Sequence, residues 1–263
     1  MQEHDLAIVP AGRIARRSRT AWYRPAEDHA ERDQPVIDTL LALVAKHTKW
    51  GLWLCYQRLR ALGYAWNRKR VYRVYCALRL NLPRRRKKCV LTRPRLALVA
   101  PTMLNNTWAL DFMGDTRYDG RQYRTLNVLD EGNREALAIE IATSLPSVRV
   151  VALLDQLVGL HGAPTMLRCD NGPEFIAAAL AAWCEIHGVH LHHIAPGKPN
   201  QNAFIERFNR TYRTEVLDAW VFTSLAEVRQ VTDEWLAMYN TERPHRSLGG
   251  VPPRTYLPRN NAV

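Results

Sequence analysis

The sequence has no uncharged apolar run near the roughly 18 residues that a membrane-crossing helix requires, so it offers no candidate span. It has no CxxC pair and no secretory hydrophobic region at its N-terminus. Its five cysteines, Cys55, Cys76, Cys89, Cys169 and Cys184, are widely spaced and odd in number. Reduced thiols in a cytoplasmic protein are the expectation. Negative charge is missing from one long stretch: between Thr39 and Ala100 there are 16 Lys and Arg and not one Asp or Glu. A solvated helix face interleaves the two signs, so an unrelieved positive segment points to a polyanionic partner. The segment is rich in Trp, Tyr and Leu, which argues against a merely solubilising tail.

What is present divides the 263 residues in two. The net charge of +12 comes from residues 1–100, with 22 basic against 7 acidic side chains, whereas residues 101–263 hold 15 against 18. Apolar residues at helical spacing from Val36 to Val44, from Leu52 to Leu62, and from Val71 to Leu78 behind a capping Asn67 predict three short helices. The third is basic at its start and outer surface (Arg68, Lys69, Arg70, Arg73), a helix-turn-helix-like arrangement suited to DNA. Arg84, Arg85, Arg86, Lys87 and Lys88 then follow Pro83 and read as a linker tracking a DNA backbone.

Beyond Pro101 the composition changes. Thr107–Met113, Tyr123–Asp130 and Ala136–Ala142 read as strands with short links, followed by a helix over Val148–Leu160 and a strand over Thr165–Cys169. A helix over Phe175–Ile186, a strand over Val189–Ile194 and a long helix from Ala203 to Leu217 complete a mixed sheet flanked by helices. The expected division is a leader at 1–35, a helix-turn-helix-like module at 36–82, a basic linker at 83–104, a catalytic core at 105–220, and a C-terminal helix and tail at 221–263.

Three acids stand out by placement. Asp111 interrupts the strand Trp108–Met113, where a charge is costly unless neutralised. Asp170 sits where a strand stops, as sites in α/β sheets often do. Glu206 lies on the last long helix, sharing a face with Asn209, Arg210 and Arg213, and the two arginines are expected to contact DNA. Spacing alone does not select them, since Asp119 with Asp155 and Glu206 with Glu242 have the same separation as Asp170 with Glu206. Converging acids repel unless divalent cations lie between them, and two Mg²⁺ or Mn²⁺ ions would suit an in-line phosphodiester displacement. Glu174 is the rival ligand. Cys184, His187, His190, His192 and His193 could suggest zinc, but the alternation of His190-Leu191-His192 puts side chains on a strand instead of in a tetrahedral cage, and no Cys pair is nearby. The loop Pro196–Gln201, with Lys198, and the following Asn202 suit a grip on DNA near the scissile phosphate.

The motifs Trp108-Ala109-Leu110-Asp111-Phe112, Asp170-Asn171-Gly172-Pro173-Glu174-Phe175 and Pro196-Gly197-Lys198-Pro199-Asn200-Gln201-Asn202-Ala203-Phe204-Ile205-Glu206-Arg207-Phe208-Asn209 resemble the DDE integrase core of bacterial insertion-sequence transposases. More narrowly they are similar to the OrfB-type protein of the IS-three family, as are Tyr239–Gly249 and Asn67–Arg73. The resemblance spans Val36 to Tyr256. It implies an RNase H-like fold, Asp111, Asp170 and Glu206 as the catalytic, metal-holding triad, and exclusion of the two rival pairs. It also implies cutting at terminal inverted repeats and strand transfer through a circular intermediate. A homo-oligomer on double-stranded DNA, and an upstream-frame partner or frameshift fusion, are the partners it implies. The other functions to be distinguished are a non-catalytic DNA-binding regulator and a nuclease that never joins. Where relatives often carry Phe/Tyr-Gly-Tyr-Arg, this chain has Trp50-Gly51-Leu52-Trp53.

Overall fold

A computed structural model of the chain describes residues 30–82, 101–195 and 199–259, with the single positions 14, 18 and 20. Its first part is three helices, α1 (Ala30–Lys46), α2 (Leu52–Ala61) and α3 (Arg68–Ala77). Their apolar stripes meet in a small core of Val36, Leu40, Trp50, Cys55, Leu59, Val71, Val74 and Tyr75. Asn67 caps α3, its side chain accepting from the Lys69 N–H. Helix α1 begins at Ala30, earlier than the expected Val36. Asp33 holds that extra turn in place, because Arg70 and Arg73 of α3 grip its two oxygens at 2.8 and 2.6 Å.

The second part is a five-stranded sheet in the order β3-β2-β1-β4-β5. Strands β1 (Thr107–Thr116), β2 (Gln122–Asp130) and β3 (Ala136–Ala142) meander antiparallel, while β4 (Met166–Cys169) and β5 (His190–His193) run parallel to β1. Between β3 and β4 lies α4 (Ser147–His161). The single helix expected over 175–186 is two, α5 (Pro173–Ile176) and α6 (Ala178–His187), separated by Ala177 in extended conformation. The break has a packing cause. Phe175 stacks on Phe112 at 4.8 Å between centroids, while Leu180 and Trp183 must also face the core, and an unbroken helix would turn Leu180 about 140° away from Phe175.

Alternation along β1 sends Trp108 and Leu110 to one face and Ala109 to the other. The first face is covered by α4 and α6. The second is covered by α7 (Ala203–Tyr212), which continues as a π-helical turn (Arg213–Leu217), and by α8 (Leu225–Thr241). Phe208, Tyr212, Trp235 and Tyr239 form an aromatic cluster there, with neighbouring centroids 5.0 to 6.5 Å apart. Asp111 shares the parity of Ala109 and so faces α7. A three-residue 3₁₀ turn (Arg246–Leu248) and α9 (Pro253–Tyr256) end the described chain. Arg254 and Arg259 bind back to Glu135, and Arg259 also binds Asp130, at the β2–β3 hairpin. Among the described residues no helix is long and apolar enough to cross a membrane.

Candidate active site and nucleic-acid interface

Strand β1, the end of β4 and the first half of α7 carry the three singled-out acids to one region. Asp111 is half-buried in β1 opposite Asn127 of β2. Burial pushes its carboxyl up to about 6, and the charges of Asp170 and Glu206 add to that shift. Glu206 is also raised by desolvation, with Arg210 pulling the other way. Two sequentially distant acids therefore act on Asp111. Among the described residues, no three His, Cys, Asp or Glu side chains form a ready cage for one ion.

Each aspartate is held by neutral donors. Asn209 donates its amide to Asp111 Oδ2 at 2.6 Å and accepts from Asn127 Nδ2 at 2.7 Å, and the Phe112 N–H donates to Asp111 Oδ1 at 2.9 Å. The Gly172 N–H donates to Asp170 Oδ1 at 2.9 Å, while His193 Nδ1 lies 3.1 Å from the Asp170 carbonyl. Among the described residues no guanidinium or ammonium is bonded to Asp111, so a desolvated carboxylate crowded by other acids and fixed by amides suits a hard divalent cation with oxygen ligands. The rival Glu174 is otherwise engaged. Arg124 pairs with it, holds its carboxyl below the usual range, and lies over the Phe112 ring at 4.3 Å.

The expected DNA-contacting residues fare differently. Arg68 and Lys69 are exposed at the start of α3. Arg70 and Arg73 are instead tied to Asp33, which makes them a brace between α1 and α3. Asn202, expected at the DNA, is 3 % exposed and donates to the Leu110 carbonyl at 3.3 Å, so it braces β1 beside Asp111. Arg210 is exposed on α7. Arg213 is half-buried and bonds Asp115 at 3.2 Å and the Gly114 carbonyl at 2.8 Å at the end of β1. Arg84, Arg85, Arg86, Lys87, Lys88 and Lys198 lie outside the described residues.

Sequence reasoning gave Asn127 no role at the site. It sits inside an apolar strand pattern, and only the pairing register sets it opposite Asp111. The ionic cluster of the β2–β3 hairpin was also missed. Glu131, fully buried, takes two hydrogen bonds from Arg168 at 2.7 and 2.8 Å. The run Asp130-Glu131-Gly132-Asn133-Arg134-Glu135 between two apolar strands was the available signal.

The sequence matches the Integrase core domain family over residues 101–199, and a second family of the same description over residues 187–253. It is 37% identical over 270 residues to the insertion element IS476 uncharacterized 39.2 kDa protein of Xanthomonas euvesicatoria, covering 100% of this chain and 78% of that one. It is 34% identical over 257 residues to the insertion element IS407 uncharacterized 31.7 kDa protein of Burkholderia multivorans, covering 96% and 91%. In fold it is similar to a chain of the simian T-cell lymphotropic virus intasome, solved by cryoEM with the PP2A regulatory subunit B56 gamma. That match has a TM-score of 0.54 and 16% identity, and covers 83% of this chain and 74% of that one. The chain therefore belongs to the integrase-core family of insertion-element transposases, polynucleotidyl transferases of RNase H-like fold that act on DNA.

Proposed function

We propose that this transposase cuts DNA at the terminal inverted repeats of its element and joins the freed 3′-hydroxyl to a target phosphate, with Asp111, Asp170 and Glu206 as the catalytic acids. The observation that carries the reading is that β1, the end of β4 and α7 bring Asp170 and Glu206, far apart in sequence, near enough for their charges to raise Asp111, with no cation bonded to the three among the described residues. Asp111 and Asp170 would hold one divalent ion, Mg²⁺ or Mn²⁺, and Asp111 with Glu206 a second. When bound, such ions neutralise the acids, lower the proton affinity of an attacking hydroxyl and stabilise the departing oxygen.

The chain's own groups do the positioning. Asn209 and the Phe112 N–H fix both oxygens of Asp111, so that its carboxylate keeps one orientation toward the reacting phosphate. The Gly172 N–H does the same for Asp170. Exposed Arg68, Lys69 and Arg210, with the basic segment 84–88, would neutralise DNA phosphates. The active species would be a homo-oligomer on DNA, in keeping with the intasome setting of the viral protein of similar fold, alone or joined to an upstream-frame product.

The test is an assay on duplexes carrying the element's ends, with Mg²⁺ supplied. Wild-type protein should cut and yield recombined product, whereas Asp170→Asn and Glu206→Gln should bind the same duplex and leave it intact. Near-normal cutting by either variant removes that residue from the mechanism. Binding with intact strands by wild type makes the chain a non-catalytic regulator, and cutting without joining makes it a nuclease.

A further inference from the structure

On the far flank of α7 from Glu206 lies a cavity of about 600 Å³, within the range that holds a small ligand. Its walls come from α2 (Trp53), α7 (Phe204, Arg207), the end of α8 (Tyr239) and the turn after it (His245, Arg246). Helical position separates the two sites: Phe204, Arg207, Phe208 and Thr211 line the cavity, while Glu206 and Asn209 face the acids. A helix with its side chains is about 10 Å across, so a group in the cavity is not the phosphate at the acids.

The cavity is aromatic and positive, and no acid among the described residues lines it. Arg243 in its wall is neutralised by Glu215 at 2.7 Å. Exposed Arg207 and Arg246 have no acidic partner among the described residues. Arg134 is 8 % exposed, lies 3.4 Å above the Phe204 ring, and keeps a buried guanidinium nitrogen with no partner. The hairpin is built to send it inward: Asp130 and Asn133 cap the turn through the Gly132 and Glu135 N–H groups, and Arg134 itself takes a φ of 64°, rare for a side chain of its size. His245 Nε2, in the same wall, is likewise buried without a partner. Unsatisfied polar atoms beside aromatic rings and free cations call for a flat, polar, anionic occupant.

We infer that this cavity is a second nucleic-acid site that takes one unpaired nucleotide of the bound DNA, its base against Trp53 and beside Arg134, its phosphate on Arg207 and Arg246. Stacking on aromatic rings with phosphates held by cations is the chemistry by which proteins hold unpaired bases. The inference rests on the chain acting on DNA, and it is independent of which acids catalyse the reaction.

The test uses the full chain, without divalent metal, and a short single-stranded oligonucleotide carrying one 5-iododeoxyuridine, which cross-links under light to aromatic rings it touches. Peptide mass spectrometry should place the adduct on Trp53, Phe204 or Tyr239. The double variant Arg207→Glu, Arg246→Glu, altered only at exposed positions, should lower its yield by about tenfold. Adducts confined to other parts of the chain, or an unchanged yield in the double variant, overturn the inference. So does an acidic aromatic peptide that protects Trp53 while the oligonucleotide does not. Mg²⁺-dependent cutting by the same preparation reports separately on Asp111, Asp170 and Glu206. Cutting without cavity adducts removes this inference alone, and adducts without cutting remove the catalytic reading alone.

Discussion

Asn209 and Asp111, 98 residues apart, are joined by a hydrogen bond of 2.6 Å in which the α7 amide orients the β1 carboxylate. The bond also lowers the proton affinity that burial raises. Replacing Asn209 by Ala should therefore raise the metal-free Asp111 carboxyl further and move the acid limb of the pH–rate profile at sub-saturating metal upward, since protons then compete better with the ions. Cutting at saturating metal should fall about 10- to 100-fold. End binding, measured by gel shift, should be little changed. An unshifted acid limb would leave Asn209 as a packing residue.

Arg68 and Lys69 differ from Arg70 in their partners, so they should differ in phenotype. Substituting Arg68 or Lys69 by Ala should reduce the slope of log binding constant against log salt by about 0.9 for each phosphate left without its cation. Arg70→Ala should act through the fold instead, because it strips Asp33 of a partner and loosens α1 from α3. Faster amide exchange in α1 is the measurement. A purely electrostatic effect from all three would place Arg70 at the DNA.

Gly132 is a position where size alone decides. A Cβ there would lie 2.2 Å from the Met103 carbonyl oxygen and 3.2 Å from Asp130 Oδ1. Gly132→Ala should cost about 1–3 kcal/mol and lower the thermal midpoint by about 3 °C for each kcal/mol. A wild-type midpoint would mean the hairpin moves aside freely.

Two histidines, buried His47 and half-buried His245, set a sign for acid sensitivity. Burial lowers His47 to about 4 and His245 to about 3, with neighbouring Lys46 and Arg243 adding to each effect. Their folded values lie below the ordinary 6.5, so the unfolded chain takes up protons first. Stability should fall as pH drops from about 6.5 toward 4, partly offset by Asp111, whose raised value has the opposite sign. His245→Gln should flatten the dependence of the urea midpoint on pH in that window. A slope identical to wild type would exclude His245 as its source.

The candidate acids were legible through placement and, for the choice among equally spaced carboxylates, through motif resemblance. Only the carboxylate inside Trp108–Met113 conflicts with a plain core reading, whereas an acid at a strand end or on the face of an amphipathic helix does not. Two kinds of information were not local. The Asp33 brace joins residues 37 and 40 positions apart, so a one-dimensional charge count read Arg70 and Arg73 as free cations. Asn127 and Asn202 look like ordinary polar residues until strand register and helix docking put one opposite Asp111 and the other under the Leu110 carbonyl. The break at Ala177 follows from the competing demands of Phe175 and Leu180, which periodicity in a single helix cannot express.

Anomalous scattering from Mn²⁺ in crystals of the protein bound to DNA would locate the ions themselves. The account predicts density ligated by Asp111 together with Asp170, and by Asp111 together with Glu206, beside the phosphate to be cut. Ions bound elsewhere, with Asp111 still held only by Asn209 and the Phe112 N–H, would contradict it.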